Sequence, residues 1–298
     1  MQAATPAIVC WGELVWDLFS EESSVLNTRK GLGGSAAAVA AQLCALGADA
    51  RLVTAIGHDE DGDRALRALQ HRGVNVSGVL RCPTSPTASV RVRIDAGGEP
   101  EYSGIQRLDW TGVDFEPALA AATLGADALV FSLFAQGARL DLGALERVLT
   151  GNRPRLLGCD LNLRKAVPAD GLARVRSVAD FVKLNQAEYE RAARCVPGEE
   201  LSDWLLKGGR TQLVVVTSGA KGARLATRAG KFVHSGHTPA GLVDTVGAGD
   251  AFFAALTLAL LAGLPPEETL ARASAQAESQ LTLLGAMPLD ARGRDESS

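Results

Sequence analysis

The chain has 298 residues, 47% hydrophobic and 21% charged, with a formal net charge of -4 at neutral pH. That is a globular composition with enough apolar material for one large core. Mild acidity and scattered Lys and Arg argue against nucleic acid as the main partner, while backbone amides remain able to bind phosphate.

In chain order, the segment 1–6 lacks a basic region before an apolar stretch and does not read as a signal peptide. A strand is expected over 8–11, a second extended piece over 14–19, and a glycine-rich loop over 31–34. An alanine-rich helix then runs to about Leu46 and stops at Gly47. A strand over 51–56 and a helix over 61–71 follow. The character changes from Gly78 to Ser103: Val90, Val92 and Ile94 alternate with Arg91, Arg93 and Asp95 up to Gly97 and Gly98. That period of two predicts a hairpin with one wet face, suited to covering a site as a lid.

Short apolar runs at 128–131, 156–159, 181–184 and 213–217 then alternate with helical stretches. The alternation predicts a mainly parallel sheet with helices on both faces. Two long helices are expected over 248–262 and 267–284. The expected plan is one domain over 1–290, a lid from about 13–30 and 85–106, and a polar tail over 291–298. The longest apolar run, 251–263, is too short to span a bilayer, so the cytoplasm is the expected location. The cysteines, Cys10, Cys44, Cys82, Cys159 and Cys195, are odd in number and lack C-x-x-C spacing. This argues against a disulfide framework or structural zinc. His58, His71, His234 and His237 do not cluster and read as surface or satisfied residues, with a metal site at His234-x-x-His237 as the lesser alternative, and Trp110 reads as packing or as a residue near the site.

The segment Asp244-Thr245-Val246-Gly247-Ala248-Gly249-Asp250-Ala251-Phe252 leads directly into an apolar helix. Its glycines let backbone amides turn toward one point at a helix N-terminus, where the dipole favours an anion. Asp250 in the first turn is badly placed to hold phosphate by charge. It is well placed to take a proton from a hydroxyl attacking that phosphate. The competing reading is an ordinary loop-to-helix turn. There is no P-loop, no Rossmann glycine fingerprint after the first strand, and no protein-kinase signature.

The full string D-T-x-G-A-G-D-x-F resembles the C-terminal signature of the ribokinase-like (PfkB) carbohydrate kinases. The resemblance extends from Ile8 to about Ala286 with motifs in the family's order. It implies a three-layer α/β/α fold with a mainly parallel central sheet and a small β-sheet lid. It further implies an ATP- and Mg2+-dependent kinase, with a monovalent cation such as K+ near the loop around Asp244. In these terms Asp250 is the base and Gly247, Ala248 and Gly249 form the anion hole.

Gly12-Glu13 with Asp17 resembles the opening of the fructokinase-like members and implies that Asp17 binds sugar hydroxyls; a solvated acid on an edge strand is the alternative. Gly33-Gly34-Ser35-Ala36 resembles the N-terminal signature, but the family's sugar-binding asparagine falls on Ala38, which leaves the sugar's identity open. Gly57, Asp59 and Gly62 match a loop read as structural. Asp160-Leu161-Asn162-Leu163-Arg164 resembles the D-x-N-x-R of fructokinases and 2-keto-3-deoxygluconate kinases. Asn162 and Arg164 would then face the ligand crevice, with Arg164 pairing a carboxylate or phosphate, or else forming a surface salt bridge.

Asn185 and Glu188 match the N-x-x-E that organises magnesium, Glu188 acting through water; a helix cap explains the same pair, and both can hold at once. Thr217, Gly219 and Gly222 resemble the nucleotide loop, although a tight turn between strands looks alike. Fructose-type sugars are the leading acceptor, 2-keto-3-deoxygluconate second, ribose or nucleosides third. A catalytically silent ligand-binding protein is the non-enzyme reading, and a homodimer through the lid is compatible with the sequence.

Overall fold

The computed structural model describes residues 4–20, 28–94, 100–106, 109–135, 138–139, 142–163, 169–196 and 198–287. Arg164 and the 291–298 tail lie outside the described residues.

A nine-stranded sheet forms the middle layer. From edge to edge its strands are Gly230–His234, Ala223–Thr227, Leu213–Thr217, Phe181–Asn185, Leu156–Asp160, Ala128–Ser132, Ala7–Trp11, Asp49–Ile56 and Asn75–Arg81. The seven strands from Leu213–Thr217 to Asn75–Arg81 are mutually parallel, and antiparallel pairing begins only at the first two.

Parallel strands joined by helical crossovers must be covered on both faces, which explains why their sequences are continuous apolar runs. All five residues of Ala7–Trp11 are buried. Ile8 and Cys10 face a layer made by the helices Ser35–Ala45, Glu60–His71, Ala248–Leu261 and Pro266–Gln280. Val9 and Trp11 face the opposite layer, made by Glu116–Thr123, Leu142–Gly151, Ala169–Val178, Gln186–Ala193 and Leu201–Leu206. No described helix is long and apolar enough to cross a membrane.

A separate four-stranded sheet has the order Thr28–Gly33, Val15–Ser20, Ser89–Ile94, Pro100–Gln106. Val90 and Val92 are buried and Arg91 and Arg93 exposed, as the period of two predicts. The expected loop at 31–34 is instead strand as far as Gly33. Cross-strand pairing of Gly31 with Asp17 and Gly33 with Val15 supplies what glycine's weak strand propensity lacks. Asn75–Arg81 was not anticipated as a main-sheet strand; it is a half-exposed edge without an apolar period.

Trp16 anchors the root of the small sheet. Its indole Nε1 donates to the Asp61 carbonyl at 3.1 Å, Lys30 and Arg64 lie 4.8 and 5.4 Å from its ring centroid, and Lys30 pairs with Asp61.

The loop after Asp49–Ile56 is structural. Asp59 caps the next helix by accepting from the Gly62 amide at 2.8 Å, and also accepts from the Thr87 amide at 2.7 Å and hydroxyl at 2.5 Å. Burial opposes its ionisation, but Thr87, Gly62 and Arg81 outweigh burial and hold its carboxyl below the ordinary value. Asp59→Ala is expected to cost about 1–2 kcal/mol of stability, measured by urea denaturation, because it removes a cap.

Candidate active site

Two helix N-termini meet at the C-terminal ends of the central strands. Ser35 opens the helix Ser35–Ala45, and Asp250 lies in the first turn of Ala248–Leu261. The Ser35 hydroxyl donates to Asp250 Oδ1 at 2.7 Å. The first amides of each helix precede its own hydrogen-bond ladder and point toward this region. In the second helix the Ala248 amide donates to the Thr245 carbonyl at 3.4 Å and the ladder proper begins with the Ala251 amide on the Gly247 carbonyl at 2.9 Å, so the amides of Gly249 and Asp250 lie ahead of it.

The approach to each helix requires glycine. Gly247 caps the second helix at φ 81°, and a Cβ there would lie 2.5 Å from the Ala286 carbonyl oxygen. Gly34 caps the first at φ 96°, and its Cβ would lie 2.6 Å from the Glu13 carbonyl. Asp244 braces the loop ahead of the second helix: Oδ1 accepts from the Val246 amide and Oδ2 from the Gly285 amide, each at 2.9 Å. The bracing continues backward, because Gln280 donates to the Gly285 carbonyl at 2.7 Å and accepts from Gln42 at 2.6 Å. Gln42 belongs to the first helix, so an amide chain through Gln280 connects that helix to the loop ahead of the second.

Around Asp250 lies a polar cluster drawn from several strand ends. Asn162, after the strand Leu156–Asp160, donates to Glu13 Oε1 at 3.2 Å and to Ser132 Oγ at 3.3 Å. The Ser35 amide also reaches Glu13 Oε1, at 3.4 Å. Asn162 holds φ 42°, in the left-handed region that asparagine adopts more readily than other residues with a side chain. Asp17, on the small sheet, is buried beside Gly33, where a Cβ would lie 2.3 Å from its Oδ2. Ala38 is fully buried and serves packing, while Ser35, one turn earlier on the same helix, carries the hydroxyl.

Asn185 and Glu188 form a reciprocal cap. The Glu188 amide donates to Asn185 Oδ1 and the Asn185 amide to Glu188 Oε2, both at 2.8 Å. Glu188 is buried next to a buried ion pair, Lys183 Nζ to Asp160 Oδ2 at 2.7 Å. Burial and Asp160 push the Glu188 carboxyl up from 4.5 to about 7, against Lys183, the Asn185 amide and Arg191. Burial alone would depress the Lys183 ammonium, but Asp160, Glu188 and Asp250 outweigh it and hold lysine above its ordinary value.

Glu188 makes the stability of the fold depend on pH. Its proton is held more tightly in the folded chain, so the stability it contributes is present below pH 4.5 and lost as pH rises through about 7. Glu188→Gln removes this dependence. The variant is expected to gain stability relative to the unaltered chain between those pH values, measured by urea denaturation at a series of pH.

Thr217 ends the strand Leu213–Thr217, and residues 218–222 turn into the antiparallel strand Ala223–Thr227. The tight-turn reading therefore holds in geometry. The Ser218 amide donates to the Gly222 carbonyl at 2.7 Å, and a Cβ on Gly222 would lie 2.0 Å from the His234 carbonyl.

The structure thus brings Asp17, Gly33, Gly34, Asn162, Gly247, Ala248, Gly249 and Asp250 to one region, and joins Asn185 to Glu188. Sequence reading missed Ser35, Ser132 and the Lys183–Asp160 pair. The signal for Lys183 was present: a charge inside a run buried on both faces requires a partner.

The chain matches the model of the pfkB family carbohydrate kinases over residues 5–291. It is 27% identical over 279 residues to a probable fructokinase-5 of Arabidopsis thaliana, covering 87% of this chain and 84% of that protein. It is 30% identical over 274 residues to an ATP-dependent ribose-1-phosphate kinase of Halopiger xanaduensis, covering 85% and 81%. In fold it is similar to the fructokinase with bound ATP from Xylella fastidiosa, with a TM-score of 0.81, 24% identity and 95% of each chain covered. The fold is ribokinase-like, and the chain belongs to the pfkB family of carbohydrate kinases, phosphotransferases that act on an alcohol group.

Proposed function

We propose that this chain transfers the γ-phosphoryl group of Mg-ATP to a hydroxyl of a small neutral sugar, fructose-type first. The observation that carries the reading is the Ser35–Asp250 bond, which seats a carboxylate where two helix N-termini converge. Asp250 accepts the proton of the attacking hydroxyl, and the amides of Gly247, Ala248 and Gly249 stabilise charge on the transferred group. Thr217, Gly219 and Gly222 bind the nucleotide.

Asp17, Gly33, Gly34 and Asn162 face the acceptor, and Arg164 joins them by resemblance. The carboxylates of Glu13 and Asp17 are hydrogen-bond acceptors, which favours a neutral polyol over an acid. Gripping of an acid's carboxylate by Arg164 would support the second reading, 2-keto-3-deoxygluconate. The four-stranded sheet acts as the lid and is the surface through which a homodimer would form. The expected location is the cytoplasm, and K+ near Asp244 belongs to the same reading.

The donor set fits Mg2+, which prefers carboxylate oxygens and retained waters. Glu188 is a buried carboxylate with its rotamer fixed by the Asn185 amide. Asp160 Oδ1 is buried without a hydrogen-bond partner among the described residues. Bound magnesium would neutralise phosphate charge, with Glu188 holding it through water and Asn185 orienting Glu188.

A coupled assay of ADP release over sugars, sugar acids, sugar phosphates and nucleosides tests the reading. Fructose or a close neutral sugar is expected to give the highest kcat/KM. Turnover confined to nucleosides or to sugar acids overturns the fructose-type choice.

A further inference from the structure

We infer that Lys183 is a positioning residue of the phosphoryl-transfer site, its buried ammonium acting through Asp160, Glu188 and Asp250 to hold strand ends and helix head in register with the transferred group. The inference rests on the kinase reading above. It adds a residue that none of the site's sequence motifs contains.

Lys183 lies in Phe181–Asn185, a strand in the interior of the main sheet, where its neighbours Val182 and Leu184 are fully buried. Its side chain is only 7% exposed, and that of Asp160 5%. A pair kept for stability alone is weakly motivated, because desolvation of both charges offsets their attraction, and apolar replacements are often neutral or better. This pair is also incompletely satisfied. Asp160 Oδ2 takes the lysine, while Oδ1 is buried with no hydrogen-bond partner among the described residues.

Its placement points to function. The Lys183 ammonium lies directly under the anion loop, so close that a Cβ on Gly249 would stand 3.3 Å from Nζ. Asp160, Glu188 and Asp250 all act on it electrostatically. Three carboxylates converging where a phosphoryl group is to be received would repel it. One fixed cation among them reduces that repulsion and ties together the two elements carrying Glu188 and Asp250. Such a preorganised charge acts more strongly away from water.

The test compares the double variant Lys183→Met with Asp160→Asn, in which neither buried charge is stranded, with Asp160→Asn alone, so that any part Asp160 takes in holding magnesium is common to both. The thermal midpoint of the double variant is expected to stay near that of the unaltered chain. Its kcat is expected to lie about 100-fold below that of Asp160→Asn, with the acceptor KM changed by less than about threefold, as for loss of a preorganised electrostatic element. A folded double variant with kcat within about threefold of Asp160→Asn overturns the inference.

If the variant does not fold, the Lys183 ammonium signal in 15N NMR of the unaltered protein decides. It is expected to shift on saturation with magnesium and a non-hydrolysable ATP analogue, and an unmoved signal overturns the inference. Failure of the kinase reading is distinct: the unaltered chain would then turn over no acceptor at all.

Discussion

Asp250→Asn is expected to lower kcat by about 10³-fold while leaving ATP affinity and the fold largely intact, since a positioned proton acceptor contributes about 10²–10⁴-fold. The replacement is nearly isosteric. The amide oxygen of asparagine can still accept the Ser35 hydroxyl that now reaches Oδ1 at 2.7 Å. Loss of a negative charge from the first helical turn forfeits a favourable dipole interaction of about 0.3–1 kcal/mol, so the thermal midpoint should drop only slightly. The measurements are ADP release under saturating substrates, calorimetric titration with ATP, and a melting curve. A kcat within about tenfold of the unaltered enzyme would rule out Asp250 as the base.

Gly247→Ala is expected to damage stability and catalysis together. The residue holds φ 81°, where an added Cβ costs roughly 1 kcal/mol or more. That Cβ would also lie 2.5 Å from the Ala286 carbonyl oxygen and 2.7 Å from its Cα, and both are backbone atoms that cannot rotate away. The loop must therefore move off the 285–286 turn, at a total cost of about 2–4 kcal/mol. Because the moving segment supplies the amides, KM for ATP should rise and kcat fall, whereas Asp250→Asn affects kcat alone. Gly249→Ala offers the contrast. Among the described residues outside its own helix, its Cβ would meet the Lys183 ammonium, the end of a side chain, at 3.3 Å, so its effect on stability should be smaller. Equal melting points for Gly247→Ala and the unaltered chain would refute this account.

The central strands were legible because a run such as Val9-Cys10-Trp11, apolar at every position, has few other places to go than a sheet covered on both faces. The alternation at Val90, Val92 and Ile94 was equally clear, because one face is wet. Gly31 and Gly33 misled, since their strand exists through pairing with Asp17 and Val15, and pairing between distant segments leaves no local mark.

At the site, a run of glycines ending in Asp250 could be read locally as a helix head. Ser35 could not be chosen, because its importance arises from a contact 215 residues away. Lys183 was readable in principle as an unexplained charge in an apolar run, but its partner Asp160 lies 23 residues earlier. Asn185 and Glu188 carry a local cap that is now visible, and local chemistry of that kind is what a motif can encode.

The buried amide chain from Gln42 through Gln280 to Gly285, and on to Asp244, has a mechanical consequence. The helix headed by Ser35 and the segment from Asp244 to Asp250 are fastened twice, once by the Ser35–Asp250 bond and once through Gln42. They should therefore travel as a single stiff block through the reaction cycle. Whatever admits and releases ligands must be sought elsewhere in the molecule, and damage to either fastening should degrade both halves of the chemistry at once.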